Sequence, residues 1–103
     1  MKFKTTEIQD YLLIEFEIEG GTMAPEDLKG LRNDSPKPKP NMGVVLSGRG
    51  PTWLYAHLTH RYHPVRWVGI YDPRLGGAVV VATHTVVPGR LDGDIIRMEG
   101  VIA

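Results

Sequence analysis

The run MGVVLSGRGPTWLYAHLTHRYH constrains the fold most, because it joins an apolar segment to a helical one through glycines. Residues 42–46 predict a buried strand, residues 47–51 a glycine-rich turn, and residues 52–62 a helix. A strand that breaks at glycines directly into a helix presents free backbone N–H groups to an anion, usually a phosphate. Arg49 adds a positive charge inside this turn. The sequence therefore predicts an anion-binding turn.

A second apolar run, residues 67–71, ends on two charged residues. A strand, a helix and a strand joined by short connections form a right-handed crossover unit whose strands are parallel. The carboxyl ends of these strands then share one edge, where open α/β sheets place ligands. We call this edge the rim, and we expect four polar or charged side chains to line it: Ser47, Arg49, Asp72 and Arg74.

The amino-terminal part of the chain predicts two further strands and a second helix. Residues 2–8 and 11–19 alternate apolar and polar side chains, so one face of the second strand should pack on a core while its glutamates lie in water. A proline and two acids near the start of residues 22–33 favour a short helix there. The proline- and lysine-rich residues 34–41 predict an extended surface connection, with a nucleic-acid contact as the alternative.

The carboxyl-terminal part predicts a hairpin and a last strand. Residues 72–77, Asp-Pro-Arg-Leu-Gly-Gly, suit a hairpin turn, after which residues 78–87 return antiparallel to residues 67–71. Residues 88–93 make another turn, and residues 94–102 form the final strand. The predicted fold class is α/β, with a single Rossmann-like sheet of five or six strands and two helices.

Composition limits the classes of function. A length of 103 residues predicts one domain, spanning 1–103. Twelve basic and twelve acidic residues give zero formal net charge, so any anion must be held by a local cluster rather than by the whole protein. The absence of cysteine excludes disulfides, thiolate nucleophiles and cysteine-bound zinc. The sequence has no apolar run near the roughly 20 residues of a membrane span and no signal-peptide core, so we expect a soluble, cytoplasmic protein.

Three of the four histidines are spaced three apart along the predicted helix and just beyond it, where such positions are neighbours. The core-facing stripe of the helix is predicted from residues four apart: Leu54, Leu58 and Tyr62. His57 and His60 flank that stripe and suit a partly exposed helix face. His63 differs from them because it follows the helix and precedes a proline.

The hairpin register relates the histidines to the rim. If Tyr71 opposes Ala78, His84 falls opposite Val65 and therefore close to His63. Both histidines then lie at the amino end of the strand that carries the rim at its other end, roughly 15 Å away. Either the helix and the following loop curl back, or two molecules meet to complete one site. The second alternative would make oligomerisation part of the mechanism.

At these motifs the chain resembles a known family. A strand followed by SGRGP-x-WL, then H-x-Y-H, then YDPRLGGAVVV, resembles the CRISPR-associated Csx-three family of type III systems, over most of residues 14–81. The resemblance implies a Rossmann-like core related to CRISPR-associated sensor domains. It also implies a ring nuclease that degrades cyclic tetraadenylate, the second messenger that activates type III effector nucleases. Family members form dimers, and two dimers sandwich the ring head to tail in a tetramer.

The same resemblance assigns roles to residues of this sequence. His63 matches the family's catalytic histidine, and Asp72 and Arg74 match its catalytic partners. Family members are also described as manganese-dependent ribonucleases that act on short adenylate 3′ tails. A carboxylate and imidazoles suit Mn²⁺, so Asp72, His63 and His84 are the candidate metal ligands.

The glycine-rich turn is the candidate ligand-binding segment. Ser47 and Arg49 match ligand-contacting positions of the family, and the backbone of Gly48 and Gly50 would complete a phosphate cradle. Three functions remain open at this point. The chain could cleave the cyclic ring, bind it as a sensor without turnover, or shorten linear RNA tails with manganese. No membrane partner is expected, and short RNA is a possible second substrate.

Overall fold

A computed structural model describes residues 1–102 and contains a mixed six-stranded sheet. The strands lie in chain order across the sheet: β1 Lys2–Ile8, β2 Tyr11–Glu17, β3 Gly43–Ser47, β4 Trp67–Asp72, β5 Gly77–Thr83 and β6 Ile95–Arg97. Two α-helices accompany them: α1 Leu31–Asp34 and α2 Thr52–Arg61. Two 3₁₀ turns span Glu19–Gly21 and Pro25–Leu28. The predicted α/β class is confirmed.

The three central strands, β2, β3 and β4, are parallel, and antiparallel partners flank them on both sides. Helix α2 is the crossover between β3 and β4, as the strand–turn–helix pattern predicted. Leu46 pairs with Ile70 in the parallel register, so the carboxyl ends of β3 and β4 meet at one edge of the sheet. The rim is therefore formed by the two strand ends that the sequence assigned to it.

Both faces of the sheet are covered, and each has its own apolar cluster. On the α2 side, the predicted stripe Leu54, Leu58 and Tyr62 is fully buried against strand residues that include Ile14 and Leu46. On the other face, Trp67 packs with Tyr11, Val45 and Met98. No helix within residues 1–102 has the length and apolar character needed to cross a membrane.

The predicted alternation of buried and exposed side chains in β2 is present only in the second half of the strand. Residues 11–14 are all buried, because both faces of this central strand are covered. The strand ends at Glu17 rather than at residue 19, and Glu15 is half-buried instead of solvated. The prediction of one fully solvated glutamate face is therefore wrong for Glu15.

The helix predicted over residues 22–33 is also wrong. The segment contains a 3₁₀ turn, Pro25–Leu28, and the single-turn helix α1, Leu31–Asp34. Gly30 separates them with a φ of 82°, a left-handed conformation that a continuous helix excludes. The proline and the early acids marked a local helical turn, but the glycine prevents its extension.

The last two strands are shorter than predicted. Strand β5 ends at Thr83 rather than at residue 87, and β6 spans only Ile95–Arg97. The β4–β5 register shifts between Val68 and Gly69. Beyond the strand end, the N–H groups of His84 and Thr85 both donate to the Arg66 carbonyl, at 2.8 and 2.9 Å. The chain thus leaves the ladder at His84, close to the amino end of β4.

Candidate functional site

The glycine-rich turn after β3 is held by close backbone contacts. A Cβ atom on Gly48 would lie 2.5 Å from the Phe16 carbonyl oxygen, so this position accepts only glycine without a backbone shift. The Tyr55 hydroxyl, one turn into α2, donates to the Gly48 carbonyl. The Tyr55 ring also packs edge-to-face against Phe16, with the ring centroids 5.3 Å apart. The turn is therefore fixed by β2 on one side and by α2 on the other.

Helix α2 begins without a side-chain cap. Pro51 occupies the N-cap position, no side chain accepts a hydrogen bond there, and the first turn contains no acidic residue. The first N–H groups of a helix lack partners within the helix and carry a partial positive charge. Arg49 is exposed immediately before them, while Ser47 is buried at the end of β3. This arrangement suits a phosphate group.

A cleft of about 790 Å³ opens beside Arg49. We call it the Arg49 cleft. Its charged wall contains three basic and two acidic side chains: Lys2, Lys4, Arg49, Glu15 and Glu17. Phe3, Phe16 and Ile18 supply apolar surface. A volume in this range accommodates a nucleotide-sized ligand, and the partly exposed Phe3 ring offers surface against which a base could pack.

The DPR turn after β4 ties Asp72 to Arg74. The Asp72 carboxylate accepts hydrogen bonds from the Arg74 backbone N–H at 2.9 Å and from the guanidinium Nε and Nη2 at 3.3 and 3.2 Å. Hydrogen bonding from the Arg74 guanidinium, and then from its backbone, holds the pKa of Asp72 below its usual value. The same contact raises the pKa of the Arg74 guanidinium. Asp72 is thus an ionised group at the rim, and Arg74 is largely exposed beside it.

The two histidines at the opposite end of β4 lie together. The hairpin pairs Tyr71 with Ala78, as predicted, and the ring centroids of His63 and His84 are 4.8 Å apart. His84 Nδ1 lies 2.7 Å from the Val65 carbonyl oxygen. Because a carbonyl only accepts, Nδ1 must carry the proton, which leaves Nε2 of a neutral ring as a free acceptor. Both imidazoles are exposed.

The rim and the histidine pair remain apart within one chain. Strand β4 runs from Trp67 to Asp72, and five steps of about 3.3 Å separate its ends by roughly 17 Å. The helix and loop do not curl back to bring His63 to the rim. Within residues 1–102, no three His, Asp or Glu side chains are close enough to hold a metal ion together. One subunit therefore does not assemble the predicted metal ligands Asp72, His63 and His84.

Comparison with known proteins assigns the chain to a family. Residues 16–96 match the family described as CRISPR-associated protein (Cas_csx3). The chain belongs to this family. A protein of Aquifex aeolicus (strain VF5), described as uncharacterized, is 52% identical over 93 residues, which are 88% of this chain and 81% of that protein. The resemblance inferred from the sequence motifs is confirmed, and the Cas_csx3 match includes the glycine-rich turn, the DPR turn and both histidines.

This Cas_csx3 chain also has a second cleft, of about 310 Å³, at the end of α2. We call it the helix-end cleft, and six residues line it: Arg32, His57, His60, Arg61, His63 and Pro64. The sequence placed His57 and His60 on a partly exposed helix face and His63 just after the helix, but it did not single out either arginine. Arg61 could have been noticed because it lies between two of the spaced histidines. Arg32 could not, because it comes from α1, which the sequence pattern placed in a longer helix.

Proposed function

We propose that this Cas_csx3 chain is a ring nuclease that binds and cleaves cyclic tetraadenylate, and so switches off type III CRISPR antiviral signalling. The observation that carries this proposal is the separation of phosphate-binding groups at the rim from the His63–His84 pair at the other end of β4. A cyclic ligand held between subunits would meet both sets of groups. Membership of a CRISPR-associated family supports the biological setting.

The chemistry needs no covalent intermediate on the protein. The 2′-oxygen of an adenylate attacks the adjacent phosphorus, the bond from phosphorus to the 5′-oxygen breaks, and the products are a 2′,3′-cyclic phosphate and a 5′-hydroxyl. Alignment of the two oxygens and neutralisation of the phosphate supply most of the rate. The 2′-hydroxyl loses one proton and the departing oxygen gains one, and histidine suits both transfers near neutral pH.

Each candidate residue has a role in this scheme. The backbone of residues 47–50 and the Arg49 guanidinium bind phosphates at the rim. Arg74 neutralises the scissile phosphate, and Asp72 orients Arg74 through the three hydrogen bonds of the DPR turn. His63 of a second subunit transfers the proton, so the active site is completed between subunits of a dimer or a ligand-bridged tetramer.

The residues also fit a manganese ion that is shared between subunits. His84 has its Nδ1 committed to the Val65 carbonyl and its Nε2 free, which is the arrangement of a metal-binding imidazole. In this metal-dependent alternative, His63 would supply a second nitrogen ligand instead of transferring the proton, and Asp72 of another subunit would supply a carboxylate instead of orienting Arg74. A bound divalent cation would neutralise charge on the phosphate.

The test is incubation of the purified protein with cyclic tetraadenylate, with manganese or with a chelator, followed by chromatography of the products. We expect linear di- or tetraadenylate that carries phosphate on the 2′/3′ end. An intact ring recovered from a tight complex would contradict catalysis and favour the sensor. Shortening of linear adenylate-ended RNA without ring cleavage would favour the exonuclease. A complex that stays dimeric in light scattering would contradict the ligand-bridged tetramer.

A further inference from the structure

The helix-end cleft is lined by basic side chains and by no acidic one. Two arginines and three histidines line it together with Pro64, and none of the lining residues is acidic. Within residues 1–102, neither Arg32 nor Arg61 forms a salt bridge with a carboxylate. In a chain whose formal net charge is zero, such a cluster is a local anion-attracting surface.

Arg61 is held in place before any ligand binds. Its Nε donates to the Ser35 Oγ at 3.1 Å, and its guanidinium carbon lies 5.7 Å from the centroid of the Tyr62 ring. These contacts leave the two terminal nitrogens of the guanidinium for another acceptor. A fixed guanidinium binds phosphate with little loss of side-chain entropy, and its planar donors match two phosphate oxygens.

The alternative ligand for a histidine cluster is a metal ion. His57, His60 and His63 share the cleft, but in the described part of the chain no three such groups are close enough to hold a metal. The carboxyl end of α2 carries a partial negative charge equivalent to roughly half an elementary charge, which opposes anions. The two full positive charges of Arg32 and Arg61 are larger than this partial negative charge.

We propose that the helix-end cleft is a second phosphate-binding site, separate from the glycine-rich turn. It would take a phosphodiester of the same oligoadenylate on which His63 acts, and in this respect it rests on the proposed function. Because His63 lines the cleft, a phosphate held by Arg32 and Arg61 of one subunit lies beside the histidine of that subunit. The arginines would thus hold a phosphate next to the scissile one, while the glycine-rich turn binds the strand elsewhere.

The first experiment follows backbone amide NMR signals of the full chain during addition of inorganic phosphate. We expect signals of His57, His60 and His63 to move, and to stop moving in the Arg32→Gln/Arg61→Gln variant. Arg32 is exposed and forms no salt bridge within residues 1–102, so we expect Arg32→Gln alone to test the site with little effect on stability. Arg97→Gln, an exposed arginine on β6, is the charge-matched control.

The second experiment measures binding of cyclic tetraadenylate at several salt concentrations. We expect each cleft arginine variant to lose about tenfold in affinity, as for one charge-assisted hydrogen bond. The double variant should also reduce the slope of log affinity against log salt by about 1.4, from two phosphate contacts on a single strand. Lys29→Gln, an exposed lysine that lines neither the Arg49 cleft nor the helix-end cleft, should change neither quantity.

The outcomes separate this proposal from the proposed function. Phosphate-dependent shifts in the cleft without any binding of cyclic tetraadenylate would support the site and contradict the function. Binding of the ring that is unchanged in the double variant, with no phosphate shifts in the cleft, would overturn the site and leave the function standing. Shifts that persist equally in the double variant would also overturn it.

Discussion

The two ends of strand β4 are built differently. At the carboxyl end, which β4 shares with β3 at the rim, the candidate groups lie in or next to tight turns: Gly48 lies against the Phe16 carbonyl, and Asp72 accepts three hydrogen bonds from Arg74. At the amino end, His63 and His84 are exposed, and one hydrogen bond to a backbone carbonyl orients His84. The carboxyl end is organised within one chain, whereas the amino end leaves imidazole nitrogens available to an external partner.

This difference suggests that one end of β4 binds the ligand and the other transfers protons. Groups that bind a charged ligand need fixed positions, because their contribution depends on preorganised donors. Groups that transfer protons must reach the reacting atoms only in the assembled complex. A rigid binding end and an open proton-transfer end on one strand are consistent with a site that two subunits complete.

The largest expected effect comes from mixing two inactive variants. His63→Ala and Asp72→Asn should each reduce ring cleavage by about 100-fold or more, because each removes one part of the proton-transfer and charge-binding machinery. If the site is shared, a mixture of the two variants contains some sites with both native residues. We therefore expect single-turnover cleavage by the mixture to exceed that of either variant alone.

The control for this experiment is His63→Ala mixed with the His63→Ala/Asp72→Asn double variant, which cannot form a complete site. Both mixtures should bind cyclic tetraadenylate. Equal, low activity of the two mixtures would contradict a shared site and would place His63 and Asp72 of one chain in the same reaction.

A smaller effect is expected from Gly48→Ala, which tests the rigid end. The added Cβ would lie 2.5 Å from the Phe16 carbonyl oxygen, so either the turn or β2 must move. We expect a loss of about 1–3 kcal/mol in the free energy of unfolding. Each kcal/mol corresponds to a fall of about 4–8 °C in Tm for a domain of this size. Thermal unfolding followed by circular dichroism measures it.

The matched control is Gly69→Ala, whose Cβ would meet no atom closer than 3.4 Å. It should lower Tm less than Gly48→Ala does. Equal falls in Tm for the two variants would mean that the glycine-rich turn accommodates the added methyl group at little cost. The carboxyl end of β4 would then not be the more rigid one.

The smallest effect concerns the titration of Asp72. Because hydrogen bonds from Arg74 lower the pKa of Asp72 in the folded chain, Arg74→Gln should raise this pKa toward its ordinary value of 3.8. A carboxyl pKa that is lower in the folded chain than in the unfolded chain stabilises the fold at pH values above the unfolded-chain pKa. This stabilisation is lost as the pH falls through the folded-chain pKa. In Arg74→Gln, the contribution of Asp72 ionisation to the free energy of unfolding should be smaller at every pH above 3.8.

Carboxyl-carbon NMR of Asp72 measures the shift directly. Arg97→Gln is the control, because the Arg97 guanidinium donates to the Leu75 carbonyl of the same turn and not to the Asp72 carboxylate. An Asp72 pKa that is unchanged in Arg74→Gln would show that the backbone of the turn alone holds the carboxylate in its ionised form.

The sequence predicted those parts of the fold that rest on strong local signals. The DPRLGG turn set the β4–β5 register from Asp72 to Gly69. The shift at Val68 then places the His84 N–H on the Arg66 carbonyl rather than directly opposite Val65, but His84 still lies beside His63, as predicted. The extent of the helical segments could not be predicted in the same way, because Gly30 adopts its left-handed conformation within a stretch that otherwise favours a helix. Arg32 escaped notice for a related reason: its approach to Arg61 depends on tertiary packing of α1, which hydrophobic periodicity does not encode.

The borders of the sheet bear on how copies of this chain associate. Strand β6 has only three residues, and β1 presents Lys2, Lys4 and Glu7 as exposed charged side chains. Short or charged outer strands resist pairing with another chain. Strand-to-strand growth into fibres is therefore disfavoured, and association through faces or strand ends can close on itself after a few copies. The outer strands therefore direct any association between copies to the faces and strand ends of the sheet.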